Sequence, residues 1–163
     1  MEKFTGKVWL LGDDIDTDII MPTEYLVFKT IVEMKPYAFS PLRPELAAQI
    51  RPGDIIVAGS NFGCGSSREQ APEVVKALGL RCVIAKSFAR IFFRNAINNG
   101  LLLIENADLA DFVKEGEEIT VTVNEKIECR GKEFPIVSLP DNLVEIINAG
   151  GLVKAMRKRN GLD

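Results

Sequence analysis

The sequence predicts an α/β domain with a mostly parallel core sheet flanked by helices and a small additional antiparallel or barrel-like β layer. Three observations carry this. Short, nearly continuous apolar runs at residues 54–58, 82–85 and 101–104 read as buried strands, and helical patterns separate them. Right-handed crossovers between such strands make their pairing parallel. Beyond residue 118 the character changes, because Ile119-Thr-Val-Thr-Val123 alternates as a half-buried strand does.

Taken in order, residues 7–11 (Lys-Val-Trp-Leu-Leu) form the first strand and stop at Gly12. Four carboxylates follow within six residues: Asp13, Asp14, Asp16 and Asp18. The spacing lacks the glycine and distal glutamate of an EF-hand, and a solvated turn whose Asp and Thr side chains bond their own backbone is the local reading. Residues 34–51, punctuated by Pro36, Pro41 and Pro44, read as an irregular connection with a short helix at 45–49. Pro52-Gly53 then turns the chain into the strand at 54–58. After Pro72, Val74, Val75 and Leu78 share one face of a helix that Gly79 ends. Cys82 is core in the strand at 82–85.

Ser87 N-caps a predicted helix over residues 87–98, with Phe88, Ile91 and Phe92 as its apolar face and Gly100 past its end. Arg90 and Arg94 share another face. The strand at 101–104 follows, then the alternating one, then short, partly exposed strands at 126–129 and 132–135. Pro140-Asp141 opens a helix that closes at Gly150-Gly151. The last helix ends in Lys154, Arg157, Lys158 and Arg159, cations that complement its dipole or dock an acidic partner.

The 163 residues suit one domain spanning 1–163, and 47% hydrophobic with 26% charged residues is a globular composition. A net charge of −3 supplies no basic footprint for nucleic acid. No apolar run approaches the roughly 18 residues of a membrane span, and no signal-peptide core opens the chain. The three cysteines, Cys64, Cys82 and Cys129, are odd in number and scattered. A reducing compartment, the cytoplasm, is therefore expected rather than a disulfide framework. With no His anywhere, an imidazole base and a His-ligated metal are excluded. Isolated cysteines do not make an iron–sulfur or zinc site, so no metal is expected on this chain and any that is used must come from a partner.

The chain is organised around Gly59-Ser60-Asn61-Phe62-Gly63-Cys64-Gly65-Ser66-Ser67-Arg68-Glu69-Gln70, which leaves a buried strand and enters a helix. Two readings stand. Ser66 with Glu69, and Ser67 with Gln70, each fit a capping box, so the serines can simply start a helix. Alternatively, glycines, hydroxyls and a guanidinium at a helix start make an anion site. Pro72 fits a helix interior poorly and a first turn well, which points to a turn ahead of the regular helix.

Residues 63–69 (Gly-Cys-Gly-Ser-Ser-Arg-Glu), with 12–18 (Gly-Asp-Asp-Ile-Asp-Thr-Asp) and 85–92 (Ala-Lys-Ser-Phe-Ala-Arg-Ile-Phe), resemble the swivelling β/β/α domain of the aconitase superfamily. More narrowly, the chain is similar from its N-terminus to its last helix to the free-standing small subunits of the isopropylmalate dehydratase and homoaconitase group. That resemblance implies a hydro-lyase half-site that isomerises a small hydroxy-dicarboxylate by dehydration and rehydration, for isopropylmalate within leucine biosynthesis. The partner it implies is a large subunit, in a heterodimer or heterotetramer, whose three cysteines hold a [4Fe–4S] cluster. Ser66 is implied as the base, with Arg68 and the backbone of Ser67 gripping a substrate carboxylate. Thr17 and Asp18 are implied as site wall, Asp18 contacting an Arg or orienting the hydroxyl.

Residues 22–30 resemble the family's specificity loop, carried here by Tyr25, Leu26, Val27, Phe28 and Lys29. Relatives that accept a third carboxylate have an Arg near Val27. An apolar side chain there favours a branched alkyl group instead. A small shift in register would deliver Lys29, and the bland alternative makes Leu26, Val27 and Phe28 core. Gln70 stands where many relatives have His, and Cys64 inherits no role. Homoaconitase, dimethylmalate or citraconate hydro-lyase subunits remain alternatives within the family. A non-catalytic anion-binding or regulatory module is the alternative outside it.

Overall fold

The computed structural model describes residues 2–161, and one strand decides its architecture. In chain order the elements are β1 (Lys3–Leu10), α1 (Thr17–Ile20), α2 (Ile31–Met34), α3 (Leu46–Gln49), β2 (Ile55–Ala58), α4 (Gln70–Ala77), β3 (Cys82–Ala85), α5 (Arg90–Asn98) and β4 (Leu103–Glu105). There follow α6 (Leu109–Phe112), β5 (Glu118–Thr122), β6 (Lys126–Cys129), β7 (Lys132–Pro135), α7 (Asp141–Ala149) and α8 (Leu152–Arg159). All seven strands form one sheet in the order β4-β3-β2-β1-β5-β6-β7.

β1 belongs to both halves of that sheet. Its second half pairs in parallel with β2, Val8 opposite Ile55 and Leu10 opposite Val57. Its first half pairs antiparallel with β5, Lys3 opposite Thr122 and Lys7 opposite Glu118. The antiparallel part is thus a continuation of the core sheet rather than a separate layer. Residues 3–6 are too polar to read as a buried strand, and it is β5 that recruits them.

The parallel half is buried on both faces, as its unbroken apolar runs require. Alternate side chains feed two cores: Trp9, Ile56, Ala58, Val83 and Leu103 pack under α4 and α5, while Val8, Ile55, Val57, Cys82 and Ile84 face the other way. In the antiparallel half, Ile119, Val121, Ile127, Cys129 and Phe134 are the inward positions of their strands. Arg130 and Gly131, at φ 49° and 77°, make the two-residue turn between β6 and β7, where positive φ suits the strand twist.

Besides the ends of β1 and the start of α4, which precedes Pro72, the starts of β4 and α5 differ from the sequence reading. β4 starts at Leu103 rather than 101, because Leu101 and Leu102 are buried as a lead-in to the sheet. α5 starts at Arg90 rather than at Ser87, and Ile91 is 57% exposed instead of completing an apolar face.

Asp54, 7% exposed, opens β2 and accepts at one oxygen, Oδ2, from both Trp9 Nε1 (2.8 Å) and the Arg51 backbone N–H (2.8 Å). Replacing Asp54 with Ala leaves both donors unpaired, and urea denaturation should show a loss of about 2–4 kcal/mol. Asp54→Asn, which keeps an acceptor, should lose less than half of that.

Candidate active site

Three chain segments leave the carboxyl ends of β1, β2 and β3 and remain stitched side by side. Gly59 N–H donates to Gly12 O (3.0 Å), Asp14 N–H to Ser60 O (2.8 Å), Gly63 N–H to Ile15 O (2.7 Å) and Thr17 N–H to Cys64 O (2.9 Å). On the other side Lys86 N–H donates to Gly59 O (3.1 Å), Phe62 N–H to Ser87 O (3.1 Å) and Ala89 N–H to Phe62 O (2.9 Å). The three motifs at 12–18, 59–69 and 85–92, far apart in sequence, are therefore neighbours because their strands are neighbours.

Side chains finish the lattice. Asp13 Oδ1 accepts from Ser60 N–H (2.7 Å), Asp14 Oδ1 from Asn61 Nδ2 (3.2 Å), and Ser87 Oγ from Asn61 N–H (2.8 Å). Ser87 therefore buttresses the loop instead of capping α5, whose N-cap is Ala89 with no side-chain bond. Asp16 caps α1 through Ile19 N–H (2.8 Å) and Asp18 pairs with Arg68. Of the four carboxylates only Asp16 bonds its own turn, as local turn chemistry predicts; Asp13, Asp14 and Asp18 reach across to the serine loop and Arg68 instead, because β1 and β2 lie side by side. Asp14 and Asn61, bonded to each other, both sit at positive φ (53° and 63°), a conformation these residue types tolerate.

Neither capping box forms. α4 begins at Gln70 with Glu69 at its N-cap and no side-chain cap bond. Pro72 is its third residue, within the turn whose N–H groups lack helical partners in any case. The hydroxyls of Ser66 and Ser67 have no partner among the described residues, and the N–H groups of Gly65, Ser66, Ser67 and Arg68 likewise find no acceptor. They border a cleft of about 210 Å³ whose walls include Thr17, Ser66, Ser67 and Arg68 on one side and Arg90 and Asn95 of α5 on the other. Gly63 sets its depth: it lies at φ 85°, and a Cβ there would run into the Phe92 ring.

The predicted site residues meet in part. Thr17 is buried (3% exposed) and its hydroxyl donates to Ser66 O at 2.8 Å. Its one hydrogen is committed, so it positions the serine loop rather than donating to a substrate. Arg68 Nη1 contacts Asp18 Oδ1 (2.5 Å) and Met21 O (3.0 Å), and Nη2 donates to Thr23 Oγ1 (2.8 Å). Of the two roles expected of Asp18, the structure shows contact with the arginine and none with the Ser66 hydroxyl. The Arg68 hydrogen bond, seconded by Thr23, holds the Asp18 carboxyl below its usual range.

None of residues 25–29 lines the cleft. Val27, the specificity candidate, is 80% exposed at the end of a 3₁₀ turn, Thr23–Val27, which also overturns its core reading. Tyr25 stacks on Tyr37 (centroids 4.2 Å apart) and Phe28 lies beside the same ring at 5.7 Å, so an aromatic stack anchors this loop. Sequence reasoning missed Tyr37 and Thr23, since stacking and a guanidinium contact across 45 residues leave no periodic trace. It also missed Asn95, whose only signal was its place one turn after Ile91.

The three cysteines lie apart in the fold. Cys64 is in the loop, Cys82 inside β3 and Cys129 in β6, and no group of three or more His, Cys, Asp or Glu among the described residues can hold a metal ion. Burial, then the fields of Asp16 and Asp14, push the Cys64 thiol up, the wrong direction for a nucleophile. No described helix is long and apolar enough to cross a membrane.

A doubly stitched serine loop at the carboxyl edge of a mixed sheet is the arrangement of an aconitase-type swivelling domain, and residues 41–109 match the aconitase C-terminal domain family. The crystal structure of 3-isopropylmalate dehydratase from Methanocaldococcus jannaschii superposes with a TM-score of 0.93 at 39% identity, over 99% of this chain and 97% of that one. The 3-isopropylmalate dehydratase small subunit of Lachnospira eligens is 80% identical over 99% of both chains. Small subunit 1 of Archaeoglobus fulgidus is 49% identical over 94% of this chain and 99% of its own. The isopropylmalate/citramalate isomerase small subunit of M. jannaschii is 45% identical over 94% of both. The chain belongs to the 3-isopropylmalate dehydratase small-subunit family, hydro-lyase subunits of the aconitase superfamily.

The Asp18–Arg68 contact has a signed pH dependence. Because the folded carboxyl titrates below its ordinary 3.8, its contribution to stability is complete above that value and is lost as pH falls through the lower folded value. Carboxyl NMR should place Asp18 below 3.8, and Asp18→Asn should flatten that part of the stability–pH curve.

Proposed function

We propose that this chain is the base-bearing half of an active site that a large subunit completes, and that the assembled enzyme interconverts 2- and 3-isopropylmalate by dehydration and rehydration in leucine biosynthesis. Residues 1–163 act as one swivelling domain, in the cytoplasm. The observation that carries the reading is the cleft in which the Ser66 hydroxyl, four acceptor-free N–H groups and the Arg68 guanidinium stand together.

In this reading Ser66 Oγ takes the proton from the carbon beside a substrate carboxylate and returns it on rehydration. A serine alkoxide is a poor prospect in water, and burial alone makes it worse. The loop N–H groups supply positive potential at fixed positions, whereas Arg68 is already paired with Asp18. Arg68 and the Ser67 N–H grip a substrate carboxylate, while Thr17 and Asp18 hold the loop and the guanidinium in place. The large subunit's [4Fe–4S] cluster would supply the Lewis acid that makes hydroxide a tolerable leaving group. Ser66 is exposed in this chain, so the partner must also cover the cleft and exclude water.

Val27, with its loop neighbours Tyr25, Leu26, Phe28 and Lys29, would meet the substrate's alkyl group in the assembled enzyme. Its 80% exposure leaves an apolar side chain with nothing of its own chain to cover it. The relative named isopropylmalate/citramalate isomerase favours a second reading, in which a substrate with methyl in place of isopropyl is also accepted.

With the large subunit co-expressed and reconstituted anaerobically with iron and sulfide, Ser66→Ala should assemble normally and turn over about 10²–10⁴-fold more slowly. Undiminished turnover would overturn the assignment. Val27→Arg should raise the activity ratio of homocitrate or citrate to isopropylmalate by at least about tenfold, as a newly paired third carboxylate implies. An unaltered ratio would remove Val27 from the specificity argument.

A further inference from the structure

A guanidinium has five N–H donors, two on each Nη and one on Nε. In this chain Nη1 serves Asp18 and Met21, and Nη2 serves Thr23, so three are committed. The two that remain belong to adjacent nitrogens, Nε and Nη2, the pair with which arginine takes both oxygens of one carboxylate. The committed donors all point to the segment 18–23. Which edge of Arg68 is left for a ligand is therefore set by that segment, not by the serine loop that carries the arginine.

Thr23 has a particular place in it. Its Oγ1 accepts from Arg68 Nη2 at 2.8 Å and donates to Asp18 Oδ1 at 3.1 Å, so one hydroxyl locks both the arginine and its counter-ion. Asp18 alone, a carboxylate on an exposed side chain, can be met by either edge of the fork. The hydroxyl breaks that degeneracy by occupying the second hydrogen of the Nη1–Nη2 end. Thr23 is also the first residue of the 3₁₀ turn that ends at Val27. The carboxylate grip and the loop next to it thus share an origin.

We infer that Thr23 is a positioning residue for the substrate carboxylate, presenting the Nε–Nη2 edge of Arg68 to the cleft and tying that edge to the turn that carries Val27. The inference rests on the proposed role of the cleft and adds a residue to it. Thr23 touches neither the substrate nor Ser66; it acts through Arg68.

The test uses the assembled enzyme, with steady-state kinetics on 3-isopropylmalate for the wild type, Thr23→Val, Thr23→Ser and Ser66→Ala. Valine keeps the shape and removes the hydroxyl. KM should rise about tenfold or more, in line with losing a hydrogen bond to a charged group, while kcat falls no more than about threefold. Thr23→Ser, which restores the hydroxyl, should return KM to within about twofold of wild type. Where Thr23→Val does not assemble, Thr23→Ala with calorimetric binding of 3-isopropylmalate gives the same readout as a weaker Kd. An unchanged KM in Thr23→Val, or a raised KM that serine does not rescue, overturns the inference. Ser66→Ala separates the two levels: if it stays active the cleft reading falls, and if it is inactive while Thr23→Val keeps its KM, only the role of Thr23 falls.

Discussion

The acceptor-free backbone N–H groups of the serine loop are the constraint on which the rest of this structure turns. While the loop at 65–68 is open, water satisfies them at little cost. Once a partner surface covers the loop, each orphaned donor costs about 1–3 kcal/mol unless an acceptor enters with it. Covering the cleft and filling it with an anion are therefore coupled. In the proposed assembly this loop would favour closing around a carboxylate over closing around an empty site.

The fold holds those donors open by engaging the polar side chains of the neighbouring loops with one another. Asp13, Asp14, Asp16 and Ser87 each bond a loop or cap N–H, and Thr17 bonds the Ser66 carbonyl. Arg68 is held along one edge by Asp18, Met21 and Thr23. Left facing the cleft are two hydroxyls, the acceptor-free loop N–H groups, one edge of the Arg68 guanidinium, and Arg90 and Asn95 of α5. A capped helix start would have consumed the serines, and the absence of a cap at Glu69 is the local cost of keeping them free.

β1 connects this arrangement to the remainder of the chain. The same strand that delivers the acidic turn to the site carries the antiparallel strands on its other half. Glu115, just before β5, accepts from Leu10 N–H at 3.1 Å and pairs with Arg43 at 2.5 Å, so the end of β1 is held from both sides as it enters the site. The loop that follows starts from a fixed point, and its motif meets the serine loop in a single register.

Periodicity and composition determined the α/β class, the parallel core and the order of most elements. They suffice because burial on two faces writes itself into unbroken apolar runs such as Ile55–Ala58 and Cys82–Ala85. At 63–69 local glycine and serine chemistry left a capped helix start and an anion site both open, and only the family resemblance singled out Ser66, Ser67 and Arg68. Tertiary structure alone decided that the serines are not caps, that Ser87 holds the loop rather than a helix, that Val27 stands in solvent and that Thr23 and Tyr37 belong to the site's support. Those outcomes depend on contacts between residues tens of positions apart, whose free energies are settled by strand order and packing and leave no mark on the neighbouring sequence.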